Sequence, residues 1–300
     1  MNIIERIKHK DIDFEKWDKT ILSSPIPFVF AQSFYLNATS PNWDALIIND
    51  YESVFPITHK IKLGFNYLPQ PPFTSQLGTY GKVTSEIEQA FYNYIIKEYK
   101  LIDLELNAFN TLQNEAITTK NTYIINYKNG YTFNQNTKRN VAKATEIGLK
   151  VEQIKNIEEI LKLSQQYINP FLQKQVGLSS KTISVLDVLL KNALNVQSLF
   201  SFKVVDKNDN LKAIAHFVTN GKHTLYLKGT NTDKEENSGS THLLMKHAID
   251  FFADKSELFD FGGGNQKGLA NFYMGLGGSA LPYGFLQINN LPPVIKLLKR

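Results

Sequence analysis

The sequence predicts a mixed α/β fold made of two similar lobes. Three observations carry that reading. The chain has 300 residues, room for two domains of about 150 each. It is 42% hydrophobic and 20% charged, the balance of a chain that buries a real core. The same order of elements (hairpin, long loop, helix, strand) can be read once in each half.

The second half is punctuated most clearly. Leu199–Val205 is apolar and strand-like, and Asp206-Lys207-Asn208-Asp209 reads as a turn. Leu211–Thr219 is a second strand. Asn220-Gly221 is a two-residue hairpin signal, and residues 223–229 return as the partner strand. A polar loop, 230–239, leads to a helix that Ser240 or Thr241 caps. The helix runs to about Phe252, with Leu243, Leu244, His247, Ala248 and Phe251 at helical spacing. Residues 258–261 form a short strand that runs into Gly262-Gly263-Gly264.

In the first half, residues 44–49 and 53–58 flank Asp50-Tyr51 as a hairpin. A Pro- and Gln-rich loop follows, in which Tyr67, Gln70, Phe73 and Gln76 either cover a cleft or pack as a stiffened surface loop. Ser85 is the expected cap of a helix with Ile87, Ala90, Phe91, Tyr94 and Ile95 on one face, and 101–106 is the next strand. Three helices lie between the halves. Asn136 is placed to cap 137–147, which Gly148 ends. Ile157, Ile160, Leu161, Ser164 and Ile168 mark a second helix closing near Pro170. Ser180 caps a third, with Ile183, Leu186, Leu189, Leu190 and Ala193 inward. The boundary is expected near Asn129-Gly130, giving lobes 1–129 and 130–300.

Several classes are excluded or disfavoured. With no cysteine, disulfides and thiolate zinc sites are ruled out. The start, MNIIERIKHKD, has early charge and no apolar run, unlike a secretory signal. No stretch approaches the length of a membrane span. Cytoplasmic residence is the expectation. The net charge of +5, from 33 basic and 28 acidic residues, fits a lysine-rich solvated surface and is compatible with an anionic ligand such as a nucleotide, a coenzyme or tRNA. DNA is not an expected partner.

Familiar motifs fail on spacing. Lys267 follows Gln266 and precedes Gly268, so there is no Walker A loop. The sixth position from Gly262 is Lys267, which breaks a dinucleotide fingerprint. Asp206-x-Asn208-x-Asn210 begins like a calcium loop, but Leu211 stands where Gly is required and Phe217 where Glu is. There is no H-E-x-x-H and no G-x-S-x-G. No metal is expected. Seven of the chain's 17 glycines fall between 262 and 278. Gly275, Gly277 and Gly278 read as the stop of a short helix, 268–274. Three glycines at a strand end mark either a tight turn or a place where a ligand approaches the backbone.

Two runs resemble a known family. Arg139-Asn140-Val141-Ala142-Lys143-Ala144, followed by Gly148-Leu149-Lys150-Val151, resembles a stretch of FemAB-like proteins. Asp260-Phe261-Gly262-Gly263-Gly264, then Phe272, Gly277 and Tyr283, resembles their ending, with Leu276 where that family usually has Phe. The resemblance covers 131–288. It implies a tandem GNAT (acyl-CoA N-acyltransferase) fold, two lobes each with a mixed sheet flanked by helices. It also implies transfer of an acyl or aminoacyl group from a coenzyme A thioester, or from aminoacyl-tRNA, to an amine. The acceptor would be a small molecule or a peptide, a cell-envelope precursor among them. In that family a helix N-terminus receives the donor pyrophosphate; here Gly239, Ser240 and Thr241 take that place. The usual Gln/Arg-x-x-Gly-x-Gly/Ala signature is absent, and so is the helical insertion of some tRNA-dependent members.

The transfer needs a deprotonated amine, a stabilised oxyanion and a protonated leaving group. Candidate catalytic residues are Asp260, Tyr226 and His242. Candidate substrate ligands are Lys138, Arg139, Gly262, Gly263, Gly264, Asn265, Gln266, Lys267 and Tyr283. Each has a plainer alternative: a solvated helix face for Lys138 and Arg139, a surface loop for 265–267, packed aromatics for Tyr226 and Tyr283. For Asp260, His242 and His216 the alternative is a structural hydrogen bond.

Overall fold

The computed structural model describes residues 3–62, 64–232 and 238–292. The chain forms two compact units, Met1–Lys120 with Pro282–Arg300, and Asn121–Leu281.

In the first unit the expected hairpin is β2 (Asp44–Ile48) with β3 (Ser53–Ile57), flanked by β1 (Glu5–Ile7) and followed by the β4 (Lys60–Lys62) and β5 (Phe65–Pro69) hairpin. Asn49, Asp50 and Tyr51 turn β2 into β3 with φ of 51°, 50° and 71°, a region that Asn and Asp tolerate better than most residues. Helices α1 (Phe14–Ser23) and α2 (Ser33–Thr39) are joined where Trp17 Nε1 donates to the Ala31 carbonyl at 2.9 Å. After β6 (Tyr80–Gly81), α3 (Ser85–Glu98) buries Ile87, Phe91 and Ile95 at four-residue spacing before β7 (Leu101–Glu105). Its cap is Thr84, not Ser85: the Thr84 hydroxyl accepts from the Ile87 N–H, and Ser85 is already helical.

β8 (Ile117–Asn126) leads into the second unit. There α4 (Gln135–Glu146) is followed by β9 (Lys150–Ile154), a helical layer, and β10 (Leu199–Val205), β11 (Leu211–Thr219) and β12 (His223–Asn231). α4 begins before the expected residue 137, because Asn134 caps it. The Asn134 side chain accepts from Thr137 N–H at 2.8 Å, while Asn134 N–H and Thr137 Oγ1 both donate to the Gly275 carbonyl. Asn136 is thereby drawn inside the helix.

The helical layer contains α5 (Ile157–Leu163), two π-helical turns (Ser164–Ile168 and Leu172–Val176) around α6 (Asn169–Phe171), and α7 (Ser180–Asn195). The helical path therefore does not close at Pro170. Pro170 lies inside this continuous path, in α6, where it has no N–H to donate, and a π-helical turn stands on either side of that segment. Gly177, with φ 77°, stops the path. Ser179 rather than Ser180 caps α7.

The unit is completed by α8 (Ser240–Phe252), β13 (Leu258–Asp260) and α9 (Lys267–Gly275); β14 (Ser279–Asn289) begins in it and continues from Pro282 in the first unit. The strands of the second unit run in the order β9-β10-β11-β12-β13-β8; β12–β13 is parallel and the other pairs are antiparallel. Alternation along β11 divides the two faces. Ala213, Ala215 and Phe217 pack with Leu244, Met245, Ala248, Ile249 and Phe252 of α8. His216, between them in sequence, turns to the other face and meets Ser164 of the helical layer.

The sequence places a boundary near Asn129-Gly130, in the short turn after β8. The compact units divide at residue 120 instead, and the chain end rejoins the first unit because Phe285–Asn289 of β14 pairs with β7. The loop expected over 230–239 includes 233–237, and the terminal segment 291–300 includes 293–300; these lie outside the described residues. Among the described residues no helix is long and apolar enough to cross a membrane.

Candidate functional site

The start of α8 is set by Gly239. Its φ is +81°, and a Cβ there would stand 2.2 Å from the Asn140 carbonyl oxygen of α4, so only glycine lets the two backbones meet. No side chain caps this helix; Ser240 is its first residue, not the cap. Ser240 N–H lies 3.3 Å from Ser238 Oγ, and Gly239 O accepts from Leu243 N–H. The N–H groups of Thr241 and His242 have no partner among the described residues. They line an open pocket of about 310 Å³ with Asn231, Ser238, Gly239, Ser240 and Phe272. Free N–H groups and the helix dipole make such a place favourable to an anion. His242 packs edge-on against Phe272, 5.1 Å between rings, and burial lowers its pKa, so the imidazole is neutral.

Beside the pocket the sheet opens. β12 pairs with β13 only over His223–Leu225 and continues alone to Asn231, whereas β13 turns away at Asp260. A bulge interrupts β12: His216 faces Lys228 and Phe217 faces Tyr226, leaving Leu227 extra. The extra residue resets the alternation. Tyr226 therefore shares the α8 face with Phe217, 5.6 Å between rings. Its hydroxyl lies along the strand over Gly229, 2.8 Å from where a Cβ would stand. That hydroxyl has no hydrogen-bond partner among the described residues. Burial first, and Tyr273 second, raise its pKa. Tyr273 is pushed up to about 12 by burial and then by the Asp260 carboxylate. Both phenols hold their protons at neutral pH.

The triple glycine is built around Asp260, which is fully buried. Asp260 Oδ1 accepts from Thr122 Oγ1 and Gly262 N–H, both at 2.8 Å. Oδ2 lies 3.3 Å from His223 Nε2. The Thr122 hydroxyl in turn accepts from Gly263 N–H at 3.2 Å. Gly264 closes the turn with φ +127°; a Cβ there would come within 2.4 Å of the Tyr123 ring. Asp260 thus shapes the turn, and neither of its oxygens is left open to a substrate.

No family model matches the chain, and no curated protein sequence matches it. Solved structures do. FemX superposes with a TM-score of 0.67 at 12% identity, over 99% of this chain and 100% of its own. The C-terminal domain of a putative lysylphosphatidylglycerol synthetase from Agrobacterium fabrum gives 0.60 at 9% identity, over 96% and 94%. A tandem GNAT protein from the clavulanic acid biosynthesis pathway gives 0.50 at 8%, over 97% and 99%. The chain has a FemAB-like, tandem GNAT fold.

On this GNAT fold the second unit gathers part of the expected site. Gly239, Ser240, Thr241 and His242 line one pocket, and Tyr226 lies on the face that carries it. Others stand apart. Asn265, Gln266 and Lys267 are exposed, and Asn265 Oδ1 accepts from Asn121 N–H at 3.1 Å. Lys138 and Arg139 are exposed on α4; Arg139 Nη2 donates to Asn136 Oδ1 at 3.1 Å. None of these five lines the pocket. Tyr283 is buried and belongs to the first unit. His216 is buried between Ser164 Oγ, 2.6 Å from Nε2, and Ser201 Oγ, 2.8 Å from Nδ1. Asp206 accepts from Asn208 N–H, Asn210 N–H and the Asn210 amide, which makes a polar turn of the calcium-like run. The hydrogen bonds to Asn210 are the first cause holding its carboxyl down to about 2.

Sequence reasoning missed Asn231, Ser238 and Phe272 in the pocket, and Thr122 and His223 around Asp260. Phe272 lay within the recognised ending. Thr122 is 138 residues from Asp260 and carries no local signal.

Proposed function

We propose that the protein is an N-acyltransferase that moves an acyl or aminoacyl group from a coenzyme A thioester, with aminoacyl-tRNA as the alternative donor, to an amine acceptor. The observation that carries this reading is the 310 Å³ pocket at the α8 N-terminus, beside the gap between β12 and β13 in a GNAT fold. The donor pyrophosphate sits against the free N–H groups of Thr241 and His242. Gly229, lacking a side chain, leaves room for the Tyr226 hydroxyl to lie against the strand backbone.

The acceptor amine, as the free base, attacks the donor carbonyl. A C–N bond forms, the C–S bond (C–O for an ester donor) breaks, and the leaving sulfur or oxygen takes the proton of Tyr226. The proton released by the new amide nitrogen is relayed through solvent to the tyrosinate and restores the phenol. Asp260 acts by holding the Gly262–Gly264 turn. Neighbours of the same fold include the C-terminal domain of a putative lysylphosphatidylglycerol synthetase and a tandem GNAT protein whose structure was determined without acetyl-CoA.

Calorimetric titration with acetyl-CoA and free CoA tests the donor. One saturable site per chain is expected. No binding to either, with binding of aminoacyl-tRNA, moves the donor to tRNA; no binding of any of the three overturns the reading. A binding protein without turnover is the second reading. It is favoured by the commitment of His216 and Asp260 to hydrogen bonds within the protein. Detectable transfer to any amine rules it out.

A further inference from the structure

Across the face of the sheet opposite α8, three side chains stand in one row. Ser201 of β10 is in register with His216 of β11, and His216 with Lys228 of β12. Residues paired in this way project to the same side. Ser201 and His216 are fully buried and bonded to each other. Lys228 is different. It is partly buried and has no hydrogen bond or ion pair among the described residues.

Its place in the strand is equally specific. The last residue of β12 paired with β13 is Leu225, so Lys228 stands where β12 has lost that neighbour. The bulge at Leu227 sets Tyr226 and Lys228 on opposite faces. Asn231, in register with Ala213, returns to the α8 face and lines the donor pocket. One strand thus carries the donor side on one face and a lone amine on the other, with the opened sheet between them. The helical layer over that second face is irregular: its two π turns flank Asn169, whose Oδ1 is buried without a partner. Such turns recur at functional sites.

A cation taken out of water without a partner is costly. Burial accordingly lowers the Lys228 pKa. The shift marks an amine that gains by meeting a negative charge, and no carboxylate of the described residues supplies one.

We propose that Lys228 receives an anionic group of the acceptor, a carboxylate or a phosphate, and so holds the acceptor amine at the opening between β12 and β13, opposite the donor. The acceptor is then an amine that carries a nearby negative charge. Lys228 is a positioning residue that binds substrate, and the inference rests on the acyl-transfer reading.

The test uses the whole chain and does not require the acceptor to be known. Trace labelling of amines with acetic anhydride across a range of pH, followed by peptide mapping, reads each lysine separately. Lys228 is expected to react at lower pH than the exposed lysines. Inorganic phosphate or acetate is expected to protect it saturably, the more effective ion naming the acceptor's group. Reactivity unchanged by both ions, or protection no greater than at the exposed lysines, overturns the proposal.

Two variants separate it from neighbouring explanations. Lys228→Met is expected to melt no lower than wild type, because it removes an uncompensated charge and keeps the stem. A clear loss of stability would show a structural role instead. Once an acceptor is found, Lys228→Met is expected to raise its KM more than tenfold, and Lys228→Arg to restore it. An arginine variant that binds acceptor normally but turns over no faster than the methionine variant would make Lys228 a base and not an anchor. Donor titration of the wild type is independent of these readings: protection at Lys228 with no binding of acetyl-CoA, CoA or aminoacyl-tRNA would leave the anion site standing and remove the transferase.

Discussion

Gly239 rests its α-carbon on the main-chain carbonyl of Asn140, so closely that a Cβ would stand 2.2 Å from the oxygen. The contact fixes the start of α8 against α4 and shapes the pocket. Gly239→Ala meets both that clash and a φ of +81°. It is expected to cost about 1–3 kcal/mol of stability and to weaken acetyl-CoA binding about tenfold or more, roughly 1.4 kcal/mol. Asn140→Ala is the control. It keeps the main-chain carbonyl, and donor affinity is expected to stay near wild type. Thermal melting and calorimetry read both; wild-type affinity in Gly239→Ala would remove the pocket from the mechanism.

Tyr226 is the proton donor of the proposed transfer. Tyr226→Phe keeps the ring against Phe217 and removes only the hydroxyl. The rate of the chemical step is expected to fall about 100-fold, within the usual range for general acid catalysis, with the Kd for acetyl-CoA unchanged. Single-turnover kinetics separates the two. An unaltered rate would return Tyr226 to packing alone.

Asp260 is expected to matter through the glycine turn. Asp260→Ala leaves Thr122 Oγ1, Gly262 N–H and His223 Nε2 short of a partner, at about 1–3 kcal/mol for each buried group. Asp260→Asn keeps an oxygen for Thr122 and Gly262. It is expected to retain most of the stability and to lower turnover by less than about tenfold, below the usual general-base effect. Loss of turnover in a stable Asp260→Asn protein would place the carboxylate in the chemistry.

His216 makes stability depend on pH. Burial lowers its pKa from 6.5 to about 3. Below pH 6.5 the unfolded chain takes up a proton that the native state refuses. The stability contributed is whole above 6.5 and declines as pH falls towards 3. The slope approaches about 1.4 kcal/mol per pH unit. His242 and His247, also lowered by burial, add in the same direction. Urea unfolding of wild type and of His216→Leu isolates the share of His216: the variant is less stable at neutral pH, because Ser164 and Ser201 lose a partner, but its pH slope is shallower. Equal slopes would mean that His216 is protonated in the native state.

Much of the second unit is legible in the sequence because its signals are local. Asn220-Gly221 announces the β11–β12 hairpin, and the apolar spacing from Leu243 to Phe251 announces α8. Capping residues were read less well. Asn136, Ser85, Ser180 and Ser240 all look like caps, yet the cap is Asn134, Thr84, Ser179 or Gly239. Adjacent polar residues compete for that position, and tertiary contacts such as the Gly275 carbonyl on Asn134 and Thr137 decide between them. The candidate site was half legible. Gly239–His242 follow from a helix start, but the enclosure of Asp260 involves Thr122, far away in sequence.

The sequence by itself determined the hairpin, loop, helix and strand order in each half, the helices between them, and the glycines where the backbone turns or meets another chain segment closely. These depend on period, turn chemistry and φ, which neighbouring residues set. Only the tertiary structure decided that β14 returns to the first unit, that Asp260 is enclosed, and that Tyr226 and Lys228 face opposite ways. The last of these hangs on one extra residue: Leu227 is left over between Tyr226 and Lys228 in the pairing of β12 with β11, and the partners of a strand are chosen by the whole fold.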